Sequence, residues 1–178
     1  LTEEIKEVRK INVPGIKVLI GSEVDILGDG SLDYHDNVLR KLDYTICSIH
    51  SGFKGEVTKR ILKAMENKNM NILAHPTGRL IQSRKEYKIK FGEVLRVAKE
   101  TKTVLEINAH PSRLDLRDEM IKTAVENGNK LTIGTDAHNV DGLRHMRLGI
   151  GQARRGWATK NDIVNTLNLN ELRKIFRK

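Results

Sequence analysis

The sequence predicts an α/β protein built on a parallel β-sheet. Short apolar runs rich in β-branched residues alternate with segments in which apolar residues recur at helical spacing. Regular alternation of this kind indicates strands joined by right-handed helical crossovers. No internal repeat, low-complexity stretch or linker divides residues 1–178, so a single domain is expected. The pattern alone leaves an open, doubly wound sheet and a closed barrel as alternatives.

The individual elements follow from the same two periodicities. An amphipathic helix marked by Leu1, Ile5 and Val8 opens the chain. Five strands are predicted from short apolar runs, at 16–20, 44–49, 71–74, 103–107 and 131–134. Helices are expected between the later strands, at 56–67, 91–98 and 120–127. The segment after residue 138 is predicted to be helical, with Thr159 and Asn170 as N-caps.

The chain is strongly basic, with a formal net charge of +9 from 32 Lys and Arg against 23 Asp and Glu. This balance favours a polyanionic partner such as nucleic acid, and it equally fits a protein selected for solubility. No apolar run is long enough to span a membrane, and the first residues do not resemble a signal peptide. The one cysteine, Cys47, fits a reducing, cytoplasmic compartment. Because residue 1 is not Met, the chain is expected to begin within a longer protein.

Metal-binding residue types occur where the predicted strands end. Glu23 follows the first strand, His50 the second and His75 the third, and Asp136 and His138 follow the fifth. The carboxyl ends of parallel strands meet at one edge of a sheet, where ligands gather. Three imidazoles and two carboxylates there suit Zn²⁺ or Mn²⁺. The structural alternative is that each histidine is simply hydrogen-bonded and that Asp136 caps a helix beginning near residue 140.

The motifs around these residues resemble the PHP domain at the C-terminus of bacterial and archaeal family X DNA polymerases. The matching segments are GSEVDIL (21–27), DGSLDY (29–34), SIHS (48–51), HPTGRL (75–80), EINA (106–109), RLDL (113–116), TDAH (135–138) and ARRGW (153–157). They cover essentially the whole chain, and the RLDL and ARRGW segments favour this branch over histidinol-phosphate phosphatases. The resemblance implies a distorted, TIM-like (β/α) barrel with a metal site at the carboxyl ends of its strands.

The resemblance also implies roles for the strand-end residues. Glu23 matches a carboxylate that bridges metals, and His50 and His75 match the histidines that share one metal with it. Asp136 and His138 match ligands of the other two ions. The complete domain would hold up to three divalent ions, Zn²⁺ or Mn²⁺.

One part of the family pattern is not found in this sequence. The family's opening His-x-His strand with its following Asp, and a later Asp-His strand, have no counterpart, and no His-x-His occurs anywhere. In the family order both motifs precede the position of Leu1. The chain is therefore expected to be the C-terminal part of a PHP domain, as a truncated piece, a split gene product or a decayed domain. A sheet edge exposed by missing strands would favour a homo-oligomer.

Four further side chains are candidates for substrate contact. Arg79 and Arg113 follow strand ends, where a guanidinium could hold a phosphate oxygen, although a structural ion pair is an alternative. Ser51 and Lys54 lie just beyond His50 and could contact the substrate, with a solvated loop as the alternative.

The activity that the resemblance implies is hydrolysis of DNA phosphodiesters or of 3′-end phosphates by a metal-activated hydroxide. Such an enzyme would act as a 3′–5′ exonuclease in DNA repair. Its partners would be the DNA backbone and the polymerase domains of the parent chain, with no membrane involved. Two alternatives stay open: a standalone phosphatase that acts on a small phosphate ester, and a non-catalytic metal-binding or scaffold module.

Overall fold

The computed structural model describes residues 1–176 as a five-stranded sheet with α-helices and two short 3-10 helices. The strands are β1 (Gly21–Asp25), β2 (Tyr44–Ser48), β3 (Ile72–Leu73), β4 (Val104–Asn108) and β5 (Leu131–Gly134). The α-helices are α1 (Thr2–Val8), α2 (Asp36–Leu39), α3 (Thr58–Met65), α4 (Phe91–Thr101), α5 (Asp118–Glu126), α6 (Met146–Arg155) and α7 (Leu169–Phe176). The 3-10 helices are Asp141–His145 and Val164–Thr166.

All five strands are parallel and lie side by side in chain order. The predicted α/β class with a parallel sheet is therefore confirmed. Every connection moves to the next strand in the same direction, so right-handed crossovers bring the helices to one face of the sheet. This is the strand order of a (β/α) barrel, whereas a doubly wound sheet reverses direction at a switch point. The five carboxyl ends consequently lie along one edge.

One face of the sheet forms the main hydrophobic core. Val24, Cys47, Leu73, Leu105 and Leu131 stand in register across the five strands and are almost fully buried. Helices α3, α4 and α5 cover this face with apolar side chains that include Ile61, Val94, Leu95 and Ile121. The helical spacing seen in the sequence therefore corresponds to the packed side of each helix.

The opposite face is covered only in part by the described residues, and α7 provides most of that cover. Ile72 and Val104 pack with Val164 and with the apolar side of α7. The ring of Phe176 stacks on Tyr44 with centroids 5.5 Å apart. This packing lies toward the amino ends of the strands, so the carboxyl half of the same face carries polar residues.

The first strand differs from the prediction. The apolar run 16–20 is not a strand, and Ile16 is 66 % exposed. Pairing with β2 begins at Gly21, opposite Tyr44. Residues 21–25 alternate between a core-facing Val24 and polar side chains on the other face, which hides the strand from a search for apolar runs.

Two predicted N-caps are also wrong. Helix α7 is capped by Asn168, whose side-chain oxygen accepts the backbone N–H groups of Asn170 and Glu171 at 3.0 Å each. The Glu171 carboxylate in turn accepts the N–H of Asn168, which completes a capping box. Thr159 lies in a turn with Asp162 and begins no α-helix.

Within residues 1–176, the helices are too short or too polar for any of them to cross a lipid bilayer.

Candidate metal centre

Glu23, His50 and His75 converge at the carboxyl edge of β1, β2 and β3. Nε2 of His75 lies 3.0 Å from Oε1 of Glu23, and Nε2 of His50 lies 3.4 Å from the same oxygen. The two imidazole rings have centroids 5.4 Å apart. Within residues 1–176, this is the one group of three or more metal-ligand side chains whose donor atoms lie within 4.8 Å of one another. The sequence analysis named these three residues as candidate metal ligands from three separate motifs.

The local structure explains how three consecutive strands supply the three side chains. Val24 points into the core, so its neighbour Glu23 points to the opposite face of β1. His50 and His75 each follow their strand by two residues. His75 has a positive φ of 26°, and its carbonyl accepts the N–H of Gly78 in a tight turn. That turn directs the buried imidazole back over the end of the sheet.

Asp25 is a site residue that the sequence prediction missed. It lies two residues after Glu23 on β1, and its Oδ1 is 2.5 Å from Nδ1 of His50. A carboxylate on one ring nitrogen orients the imidazole and leaves the other nitrogen for a metal ion. The i, i+2 spacing to Glu23 was the available signal, because alternate residues of a strand share a face.

The electrostatics of the centre suit a cation. The hydrogen bond from the His75 side chain lowers the pKa of Glu23 to about 2, although partial burial acts in the opposite direction. Glu23 is therefore ionised at neutral pH and stands beside two imidazoles. One carboxylate and two imidazoles form a ligand set typical of Zn²⁺ and other divalent transition metals, so the residues present fit such an ion.

Two buried carboxyl groups lie behind His75. Glu106 on β4 accepts the backbone N–H of His75 at 2.8 Å, and Asp115 accepts the N–H of Thr77 at 3.1 Å. Burial raises the pKa of Glu106 to about 7 and also raises the pKa of Asp115. Both groups therefore hold the loop that carries His75 from positions that water does not reach.

Asp136 and His138 lie after β5, outside the group around Glu23. One Asp136 oxygen is 3.5 Å from the side-chain nitrogen of Asn108 and 3.8 Å from Nε of Arg113. His138 is 84 % exposed, and its Nδ1 is 2.9 Å from the carbonyl oxygen of Asp136. The capping alternative for Asp136 does not hold, because Asn139 accepts the N–H of Gly142 at the start of the following 3-10 helix. A metal role for both residues stays a prediction.

The two candidate arginines occupy different surroundings. Arg79 donates hydrogen bonds to the backbone carbonyls of Arg113 and Leu114, so most of its guanidinium holds the neighbouring loop. Arg113 is 15 % exposed, and its Nη1 is buried with no hydrogen-bond partner. Ser51 and Lys54 are exposed on the loop after β2. Phosphate contact by these four residues remains untested.

A second histidine pair borders the Asp136 loop. The rings of His110 and His145 have centroids 5.2 Å apart and meet edge to face. They line a cavity of about 260 Å³ together with Asp136, His138, Asn139 and Asp141. Sequence reasoning did not find this pair, because His145 lies on a helical segment far along the chain from His110.

A relative found by comparison with known proteins matches along the full length of the chain. The DNA polymerase/3′–5′ exonuclease PolX of Bacillus subtilis is 41% identical over 183 residues, which cover 100% of this chain and 32% of that protein. None of the family models compared with the chain matches it.

Other relatives are named as probable phosphatases. One from Thermoanaerobacter sp. is 29% identical over 167 residues, covering 86% of this chain and 66% of that protein. One from Clostridium acetobutylicum is 33% identical over 135 residues, covering 69% of this chain and 53% of that protein. The chain thus spans about a third of the Bacillus protein and half to two thirds of these phosphatases. With its parallel α/β sheet and these matches, the chain belongs to the PHP family of phosphoesterases, on the branch found in PolX proteins.

Proposed function

We propose that the chain is a metal-dependent phosphoesterase domain that hydrolyses DNA, removing nucleotides or phosphates from 3′ ends. The observation that carries the proposal is the convergence of Glu23, His50 and His75 at the carboxyl edge of the sheet. The match to a protein named a 3′–5′ exonuclease and the net charge of +9 support DNA as the substrate.

A divalent ion held by Glu23, His50 and His75 would supply Lewis acidity for a phosphate oxygen and lower the pKa of a bound water. The ionised Glu23 carboxylate attracts the ion, and Asp25 orients His50 toward it. The Arg113 guanidinium lies beside Asp136 and is 15 % exposed, and its positive charge would attract a non-bridging phosphate oxygen at this loop. Arg79 donates a hydrogen bond to the backbone carbonyl oxygen of Arg113 and so fixes the position of that residue.

Hydrolysis of a small phosphate ester is the second candidate. It is favoured by the relatives named as probable phosphatases, which are 29% and 33% identical. A third possibility, a scaffold that binds metal without catalysis, is favoured by the position of Asp136 and His138 outside the group around Glu23. The three candidates differ in substrate and turnover, so one set of assays separates them.

The test combines metal content with two substrates. The purified chain is analysed for bound metal and assayed with Mn²⁺ on 3′-end-labelled DNA and on p-nitrophenyl phosphate. His50→Ala is compared with His35→Ala, since His35 is an exposed residue outside the centre. We expect bound metal and DNA hydrolysis that His50→Ala abolishes and His35→Ala retains.

Each other outcome selects a different answer. Hydrolysis of the small ester alone would identify a phosphatase, and bound metal without any hydrolysis would identify a scaffold. A chain that binds no metal would overturn the assignment of all three ligands.

A further inference from the structure

A chain of hydrogen bonds runs from the metal centre to the Asp136 loop. Glu106 on β4 accepts the backbone N–H of His75 at 2.8 Å and a side-chain N–H of Asn108 at 3.3 Å. The same Asn108 nitrogen lies 3.5 Å from a carboxylate oxygen of Asp136. Glu106 and Asn108 are only 5 % and 1 % exposed. Water therefore competes little for these bonds, which join the loops after β3 and β5 through β4.

His75 needs support of this kind because its backbone is strained. Its φ of 26° lies in a region that residues with a Cβ rarely adopt, and such residues persist only where their surroundings hold them. The bond from its N–H to Glu106 lies on one side of the strained residue. On the other side, the N–H of Gly78 donates to its carbonyl oxygen at 2.8 Å. Together they direct the imidazole toward Glu23.

Gly134 on β5 makes room for the Glu106 carboxylate. A Cβ at position 134 would overlap Oε1 of Glu106 and lie 3.2 Å from its Cδ. Gly134 has no positive φ, so the glycine is needed here for space and not for backbone freedom. Any side chain at this position would push the carboxylate away from the His75 N–H.

We propose that Glu106 is a positioning residue that fixes His75 in its metal-binding conformation, and that Gly134 is required to admit it. This role rests on the proposed function, because it concerns a ligand of the same centre. Glu106 acts as a hydrogen-bond acceptor in it. A glutamine retains an acceptor oxygen of the same reach, whereas a leucine of similar size retains none.

The first measurement is metal affinity. Binding of Zn²⁺ by equilibrium dialysis is compared for the wild type, Glu106→Gln, Glu106→Leu and Gly134→Ala. Loss of a group that orients a metal ligand typically weakens affinity about 10–100-fold, and we expect that loss for Glu106→Leu and Gly134→Ala. Glu106→Gln should stay within about threefold of the wild type. Gly151→Ala is the control, since no atom lies within 4 Å of a Cβ there.

The second measurement needs no metal. Hydrogen exchange of the His75 amide is followed by NMR in the metal-free chain. The amide should be protected in the wild type and in Glu106→Gln, and should exchange faster in Glu106→Leu and Gly134→Ala. Helical circular dichroism establishes that each variant is folded. If Glu106→Leu does not fold, Zn²⁺ affinity and exchange of the His75 amide are both measured on Gly134→Ala instead.

The outcomes separate this role from the proposed function. If Glu106→Leu or Gly134→Ala binds Zn²⁺ as tightly as the wild type while His50→Ala does not, the positioning role is wrong and the metal centre stands. If Glu106→Gln is as weak as the leucine variant, the charge matters and positioning is overturned. A wild type that binds no Zn²⁺ overturns both proposals.

Discussion

Glu23 and Glu106 are two carboxyl groups on the same face of the sheet whose surroundings shift their pKa values in opposite directions. The hydrogen bond from His75 lowers the pKa of Glu23 to about 2, whereas burial raises that of Glu106 to about 7. The first is therefore suited to binding a cation, and the second to accepting hydrogen bonds inside the protein. The difference arises because Glu23 is paired with His75 at a partly exposed position, whereas Glu106 is almost fully buried on a strand that lies between two others.

The raised pKa of Glu106 predicts a pH-dependent stability. Between its ordinary value of 4.5 and about 7, the folded chain binds more protons at this group than the unfolded chain does. The free energy of unfolding should therefore fall as the pH rises through this window and level off above it. In Glu106→Gln this component, roughly 3 kcal/mol, is absent. The free energies of unfolding of the wild type and Glu106→Gln are measured by urea denaturation in EDTA between pH 4.5 and 8. If the two free energies change in parallel with pH, the prediction is contradicted.

Asp25 should contribute to metal affinity through His50. Its Oδ1 lies 2.5 Å from Nδ1 of that ring, so Asp25→Asn weakens the bond that orients the ligand. We expect Zn²⁺ affinity to fall about 10-fold, at the lower end of the range for such changes. Asp29→Asn is the control, because Asp29 is bonded to Ser31 in an exposed loop. Equal affinities in the two variants would exclude this role for Asp25.

Only some residues of the candidate metal centre could be predicted from the sequence. Glu23, His50 and His75 were predictable, because each occurs in a motif near a strand end. Asp25 was not assigned, because its role depends on a partner 25 positions away in the chain. Contacts between strands that are distant in sequence leave no local pattern.

Helix α6 and the five strands differ in how clearly the sequence marks them. Its glycines interrupt the apolar pattern, yet it packs closely on β4 and β5 because Gly149 allows the approach. Strands β2 to β5 were recognised as apolar runs, since they are largely buried. Strand β1 was placed too early, because one of its faces carries the polar residues of the site. The polar site residues on β1 thus interrupt the apolar run from which a strand would be predicted.

Two glycines of α6 give a matched prediction. A Cβ at Gly149 would overlap Ile133 and lie 2.8 Å from the Cβ of Ala109, whereas a Cβ at Gly151 meets nothing within 4 Å. Gly149→Ala should therefore destabilise the fold by about 1–3 kcal/mol through overpacking. Gly151→Ala should stabilise it by up to about 1 kcal/mol, because alanine favours the helix. Thermal unfolding gives the melting temperature of each variant relative to the wild type. Equal shifts in melting temperature for the two variants would contradict the close packing of α6.

For the whole molecule, charge distinguishes the two enzymatic candidates. With a net charge of +9, binding of DNA should release counterions and weaken steeply as salt rises. The KM for a DNA strand should therefore increase strongly between 50 and 200 mM salt, the range over which such contacts lose affinity. The KM for p-nitrophenyl phosphate should change far less. A salt-independent KM for DNA would favour the small-ester phosphatase.

The order of the strands has a consequence for when the proposed metal centre is assembled during synthesis. The three proposed ligands lie within residues 23–75, on or just after consecutive strands, and leave the ribosome before β4 and β5. The growing chain thus exposes Glu23, His50 and His75 before β4 and β5 are free to join the sheet. The bond between Glu106 and the His75 N–H can form only after β4 has joined. A metal ion bound by the three residues at that stage would therefore be held without the support that Glu106 gives to His75.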